Sequence, residues 1–221
     1  MSKKGKNSNY KNNTANEEVM TEKTIPKEKV KLIAIISAAA VAFIALIALI
    51  IGLATPKGEF VELDFGEYGK VVVQLDRDEA PETVKNFLNL VNDKFYDGLT
   101  IFRAQDNFVI QGGKNDKVSL NPIVGEFTSN GHNNNISHTR GVISMARTND
   151  PDSATSQFFI TLSDSAARSL DGSYAAFGYV VEGMDVVDKI AETLMSKPSD
   201  YMGFVSDSDA ITIVSARVVD R

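Results

Sequence analysis

The chain has 221 residues, a net charge of −6 and no cysteine. That length holds one ordinary domain and a tail, and the lack of cysteine excludes a disulfide framework, a thiolate nucleophile and a cysteine-based metal site. Eight lysines face four glutamates up to residue 31, so the acidic excess lies beyond it. This is the opposite of a nucleic-acid binder, which concentrates Lys and Arg in its folded part.

Taken in chain order, residues 1–31 are polar and rich in Asn, Lys and Glu. They carry too little apolar surface to fold alone and are predicted to be a disordered cytoplasmic tail. Residues 32–54 (LIAIISAAAVAFIALIALIIGLA) contain no charge. As a helix they would span roughly 34 Å against a hydrocarbon core of about 30 Å, which predicts a transmembrane anchor. The rival reading, a cleavable secretory signal, wants a shorter apolar run and a small-residue cleavage site. Lys27, Lys29 and Lys31 precede the run and only Lys57 closely follows it. The positive-inside rule then keeps the N-terminus cytoplasmic and puts the rest outside the membrane, a single-pass arrangement.

Residues 55–221 are expected to fold as one domain. Glu59–Phe65 and Lys70–Asp76 flank a Gly66-Glu67-Tyr68-Gly69 turn and read as a hairpin. Pro81 to Phe95 reads as a helix, with Pro81 in its first turn and Val84, Phe87, Leu88 and Val91 on one face. Strands are predicted at 100–104, 107–111, 142–146, 156–161 and 175–180, a second helix at 183–193, and a closing strand at 210–219. The stretch 195–209 reads as an irregular loop. Many short strands with two helices predict an all-β closed antiparallel barrel whose ends the helices cover.

Three blocks then stand out: FYDGLTIFRAQDNFVIQGG from Phe95, GEFTSNGHNNNISHTRGVISMARTNDPDSATSQFFITL from Gly125, and SLDGSYAAFGYVVEGMDVVDKI from Ser169. In order and spacing the set resembles the cyclophilin family, of the bacterial more than the eukaryotic cytosolic kind. The resemblance implies an eight-stranded barrel capped by two α-helices, with a groove on its outer face that catalyses rotation of X-Pro peptide bonds. It implies no cofactor and no metal, proline-containing polypeptides as partners, and a monomeric catalytic domain. With the anchor, the expected role is to assist folding of exported or surface polypeptides. The alternative is a chaperone module that binds proline peptides without catalysis.

The chemistry asks little of the protein. Amide resonance sets a barrier of about 20 kcal/mol and spontaneous times of tens to hundreds of seconds. A turnover of about 10 per second then needs roughly a thousandfold acceleration, or ~4 kcal/mol. A site must hold the ring and favour a twisted amide. By the resemblance, Arg103 donates a hydrogen bond to the prolyl nitrogen, whose lone pair becomes an acceptor only in the twisted state, so the bond raises turnover. Spacing alone reads Arg103 equally as a surface strand residue.

Gln111 is expected beside Arg103 as the second catalytic residue, bonding substrate backbone, or by spacing alone as a turn residue. Phe108, Val109, Phe159 and Leu170 match the lining of a proline pocket, though their composition also suits barrel core. Alternation sends Phe158 and Phe159 to opposite faces, and the resemblance puts Phe159 in the groove. Phe102, Ala146, Arg147, Gln157 and Tyr174 match further substrate-binding positions, with Ala146 and Arg147 aligning the substrate backbone mainly through main-chain groups, as in strand addition.

Some positions depart from the family pattern. Phe102 stands where many members have His, Ser169 where many have Trp, Tyr174 where many have His, Val109 for Met and Arg147 for Asn. Ser169 puts binding of cyclosporin-like ligands in doubt more than isomerisation, and Val109 and Arg147 bear on which residue is preferred before proline. His132 and His138, the two histidines, lack a third placed ligand for a metal. No G-x-S-x-G hydrolase elbow occurs.

Overall fold

The computed structural model describes residues 59–221. The expected tail at 1–31 and anchor at 32–54 lie outside the described residues. Among the described residues no helix is long and apolar enough to cross a membrane.

The domain opens with β1 (Glu59–Asp64) and β2 (Lys70–Leu75), paired antiparallel from Glu59↔Leu75 to Asp64↔Lys70. The connection folds into a 3-10 turn at Gly66–Tyr68, closed by the Phe65 N–H donating to the Gly69 carbonyl at 2.9 Å. Next comes α1 (Pro81–Asn92), with proline in its first turn, where a missing N–H costs nothing. Its buried face is Val84, Phe87, Leu88 and Val91, as the period predicts. The helix ends three residues before Phe95, its expected terminus. Lys94 takes a left-handed φ of 56°, and the Phe95 N–H reaches back to the Leu90 carbonyl at 2.9 Å.

Four strands follow: β3 (Thr100–Gln105), β4 (Val109–Gly112), β5 (Val142–Met145) and β6 (Phe158–Thr161). A single helical turn α2 (Ala167–Leu170) leads into β7 (Ala176–Glu182), then α3 (Met184–Met195), β8 (Ile211–Thr212) and β9 (Ser215–Val219). The sheet is antiparallel in the order β8-β3-β4-β6-β5-β7-β2-β1-β9. It is a half-barrel with helices packed on it, all-β in class as expected. Among the described residues the strands number nine, not eight. The surplus comes from the last segment: 211–212 pairs with β3, 215–219 pairs with β1, and residues 213–214 between them belong to neither ladder.

One face of the sheet and the two long helices share the main core. Val61, Leu63, Val71, Val73, Ile101, Ile110, Ile143, Phe158 and Ile160 meet Phe87 of α1 and Ile190 and Leu194 of α3. Phe87 is at its centre, with Tyr96, Phe158 and Phe177 rings 5.2, 5.9 and 5.1 Å away. The N-terminus of α1 has no side-chain cap of its own. The buried Glu126 carboxylate supplies it, accepting from the Glu82 N–H at 3.0 Å and the Thr83 N–H at 2.8 Å. Two orphan donors are thereby satisfied, and a negative charge meets the positive end of the helix dipole.

Candidate active site

Antiparallel register puts Arg103 of β3 opposite Gln111 of β4, Gln111 opposite Phe159 of β6, and Phe159 opposite Ser144 of β5. Directly paired residues share a face, so one row crosses four strands on the side away from the main core. The alternation expected at residues 158 and 159 holds. Phe158 lies in the main core and Phe159 in a small second cluster with Val109, Ala166 and Leu170, flanked by Phe108, Ala146 and Tyr174.

Above this row is a groove of ≈ 250 Å³. Arg103 and Gln111 stand on one side, Ala146 and Arg147 on another, with Phe108, Val109, Phe159, Leu170 and Tyr174 forming its apolar body. Nine of the sequence-derived positions therefore converge. Gln157 is one step away: with Gln111, Ala146 and Arg147 it lines an adjoining hollow of ≈ 160 Å³. The Gln157 Oε1 accepts from Gln111 Nε2 at 3.0 Å.

Phe102 does not line the groove. The β3–β4 register shifts between Ile101 and Arg103, so Phe102 has no partner on β4 and falls outside the regular alternation. It borders a separate hollow with Leu99, Thr100 and Lys114. Its ring stacks on Phe204, centroids 5.9 Å apart at 17°. Ser169 is also turned away, its hydroxyl donating to the Ala166 carbonyl of its own helical turn at 3.2 Å.

The Arg103 guanidinium is held on three sides. Nη1 donates to Gln111 Oε1 at 2.9 Å, Nη2 to Gln105 Oε1 at 2.8 Å, and Nε to the Met202 carbonyl at 2.9 Å. It also lies over the Phe204 ring, 5.2 Å from the centroid. Burial lowers its pKa, with Tyr174 and Asp200 acting in the opposite sense. An arginine starts so high that it stays charged at any working pH. Its partners are neutral side-chain amides and a backbone carbonyl, so no carboxylate quenches it by direct contact.

Arg147 is bolted to the groove wall. Its Nε and Nη2 donate to the Ser173 carbonyl at 3.0 and 2.9 Å, and its guanidinium lies 4.8 Å from the Tyr174 ring centroid. The Tyr174 ring in turn meets Phe159 edge-on at 5.6 Å. The Ala146 N–H is committed to the Gln157 carbonyl at 2.9 Å. Strand addition at Ala146 therefore has to use its carbonyl.

Two features of the site escape a local reading of the sequence. Met202 and Phe204, from the stretch read as an irregular loop, contribute to the groove and to the seat of Arg103. Beneath Phe159 lies His138, 1% exposed and stacked at 5.9 Å. Its Nδ1 is 2.9 Å from Asp171 Oδ1 and its Nε2 is 3.0 Å from Ser144 Oγ. A carboxylate can only accept, so Nδ1 carries the proton and Nε2 accepts from the serine hydroxyl. Burial lowers the His138 pKa despite Asp171. His132 is elsewhere, its Nε2 2.8 Å from the Glu79 carbonyl.

A half-barrel with an arginine–glutamine row beside an apolar ring-sized groove defines a class, the cyclophilin fold with its outer-face site. The family model described as "Cyclophilin type peptidyl-prolyl cis-trans isomerase/CLD" matches residues 60–218. The chain belongs to that family. It is 45% identical over 131 residues to a peptidyl-prolyl cis-trans isomerase of Acinetobacter baylyi, covering 56% of this chain and 67% of the relative. It is 43% identical over 129 residues to peptidyl-prolyl cis-trans isomerase B of Escherichia coli, covering 56% and 79%. A crystal structure of a Cryptosporidium parvum cyclophilin type peptidyl-prolyl cis-trans isomerase superposes with a TM-score of 0.62 at 24% identity, covering 75% of this chain and 99% of that one.

Proposed function

We propose that the chain catalyses cis-trans rotation of X-Pro bonds in exported or surface polypeptides, and so assists their folding, with Arg103 as the catalytic residue. The observation that carries this is the fixed guanidinium at the edge of an apolar groove sized for a proline ring. The ring enters against Phe108, Val109, Phe159 and Leu170, gaining the ordinary hydrophobic term. The remaining donor capacity of Arg103 meets the prolyl nitrogen as the amide leaves planarity. A charge-assisted bond of ~1.5–3 kcal/mol, made only in the twisted state, supplies much of the ~4 kcal/mol required. Gln111 keeps Arg103 in plane and shares in binding substrate backbone, Gln157 orients Gln111, and Ala146 with Arg147 aligns the chain preceding the proline. Tyr174 forms the far wall.

The exported context rests on the uncharged run at 32–54 and the lysines before it. In this reading the run anchors the chain in the cell membrane, with a cytoplasmic tail at 1–31 and a monomeric catalytic domain at 55–221 outside. Closure of the half-barrel into a barrel is part of the same reading. It is supported by the final segment, where the Ile213 N–H donates to the Leu99 carbonyl at 2.7 Å and the Val214 N–H to the Asp64 carbonyl at 2.8 Å, so one stretch touches both edges of the sheet.

The test of topology is protease accessibility in intact cells. Residues beyond 55 should be digested from outside and the tail protected; protection of both would overturn the exported context. The test of activity is exchange between cis and trans forms of a short X-Pro peptide. Binding of the peptide with no gain in rate would select a non-catalytic chaperone module instead.

A further inference from the structure

The segment 199–205 is built against the groove. Asp200 staples it: its carboxylate accepts from the N–H groups of Met202 at 2.9 Å and Phe204 at 3.0 Å, and its own N–H donates to the Phe204 carbonyl at 3.1 Å. Main-chain bonds then pin the loop to β3. The Ala104 N–H donates to the Gly203 carbonyl at 3.1 Å and the Val205 N–H to the Phe102 carbonyl at 3.0 Å. Gly203 has φ +83°, and a Cβ there would lie 2.1 Å from the Ala104 carbonyl oxygen. Only glycine permits this approach.

So fixed, the loop presents three large side chains. Phe204 is the seat of Arg103, and Met202 lines the groove. Tyr201, between the staple and Met202, is 93% exposed. The fold gains little from a tyrosine held out in this way. Tyr201 adjoins Met202 in the chain, so an open aromatic ring stands next to a residue that lines the groove, and apolar surface left open beside a groove is available to a ligand.

We propose that Tyr201 and Met202 form a subsite for an apolar or aromatic side chain directly following the substrate proline. The direction comes from the groove's two ends. Ala146, Arg147 and Gln157 occupy one end, where the proposed function puts the residue preceding the proline, and Met202 with Arg103 occupies the other. A Tyr–Met pair suits an apolar occupant. Methionine adapts its shape to irregular partners, and tyrosine offers a broad ring face with little entropy to lose. The inference rests on the isomerase reading and adds a selection rule to it.

The experiment measures kcat/KM for cis-trans exchange by the full chain on tetrapeptides Ala-Ala-Pro-Yaa, with Yaa as Phe, Leu, Ala or Ser. Phe and Leu peptides are expected to exceed Ala and Ser by about fivefold, within the range a partly enclosed apolar contact can discriminate. In Tyr201→Ser the Phe-to-Ala ratio is expected to fall at least about threefold through KM, and Tyr201→Leu to restore most of it. Tyr201 is exposed, and thermal melting of each variant verifies that it folds. Equal rates for all four peptides, or a ratio unchanged in Tyr201→Ser, overturn the subsite and leave the isomerase reading standing. No acceleration of any peptide overturns both.

Discussion

The main core and the cluster around Phe159 lie on opposite faces of one sheet, and they differ in what closes them. The main core is sealed by two amphipathic helices and centred on Phe87, fully buried among three other rings. The second cluster, around Phe159, Val109 and Leu170, is small and has a polar rim of arginine and glutamines in place of a lid. The same alternation builds both, since Phe158 and Phe159 are adjacent in sequence and belong to different clusters. The contrast teaches that the first cluster is complete without a ligand, while the second leaves open room, the place proposed for a proline ring.

Substitutions should separate the two. Phe87→Ala removes the hub of the sealed core and is expected to destabilise by ~3–5 kcal/mol, measured by denaturant unfolding, with kcat unchanged in the fraction that stays folded. Phe159→Ala opens the groove floor and is expected to raise KM for X-Pro peptides severalfold, with a smaller stability loss of ~2–3 kcal/mol because fewer neighbours surround it. A Phe159 variant that loses stability as Phe87→Ala does, with unaltered KM, would break the distinction. Glu126→Ala leaves two amide donors at the start of α1 without acceptors and is expected to cost ~1–2 kcal/mol with no kinetic effect.

The smallest effect is on pH dependence. His138, under the groove floor, titrates below its ordinary 6.5 because it is buried. The unfolded chain therefore takes up a proton before the folded one does. This contribution to stability is complete above about pH 6.5 and is lost as pH falls from there through the lowered folded value. Asp171 adds to the loss at lower pH. Burial acts to raise its pKa, but hydrogen bonds from the His138 N–H, Ser137 and the His138 ring outweigh it and hold the carboxyl below its ordinary 3.8. In melting experiments His138→Gln should flatten the decline below pH 6.5. An unaltered pH profile would remove His138 as its source.

How much of this could be read in advance follows from the range of each contact. The β1–β2 hairpin and the buried face of α1 were legible, because alternation and helical period are local signals. The early end of α1 was not, since nothing in the pattern marks Lys94 for a left-handed φ. The groove residues on β3, β4 and β6 were legible through the family's motif, with Phe102 as the exception: it sits at a bulge in β3 that no local pattern marks. The stretch 195–209 reads as irregular in the sequence because the bonds that order 199–205 run to β3, nearly a hundred residues earlier, as in Arg103 to Met202. Glu126 as the cap of α1 and His138 as the support of Phe159 share that cause. Each is a polar residue in a loop whose partner only the fold supplies.

The central claim is that the tethered guanidinium of Arg103 drives rotation. Exchange spectroscopy on one X-Pro peptide, with wild type, Arg103→Ala and Arg103→Lys at equal folded concentration, tests it most directly. The expected result is fast exchange with wild type and at least about a tenfold lower kcat in both variants, because lysine keeps the charge but not the planar donor set, while melting temperatures stay close. Wild-type exchange at the spontaneous rate, or an Arg103→Ala variant as fast as wild type, would contradict it.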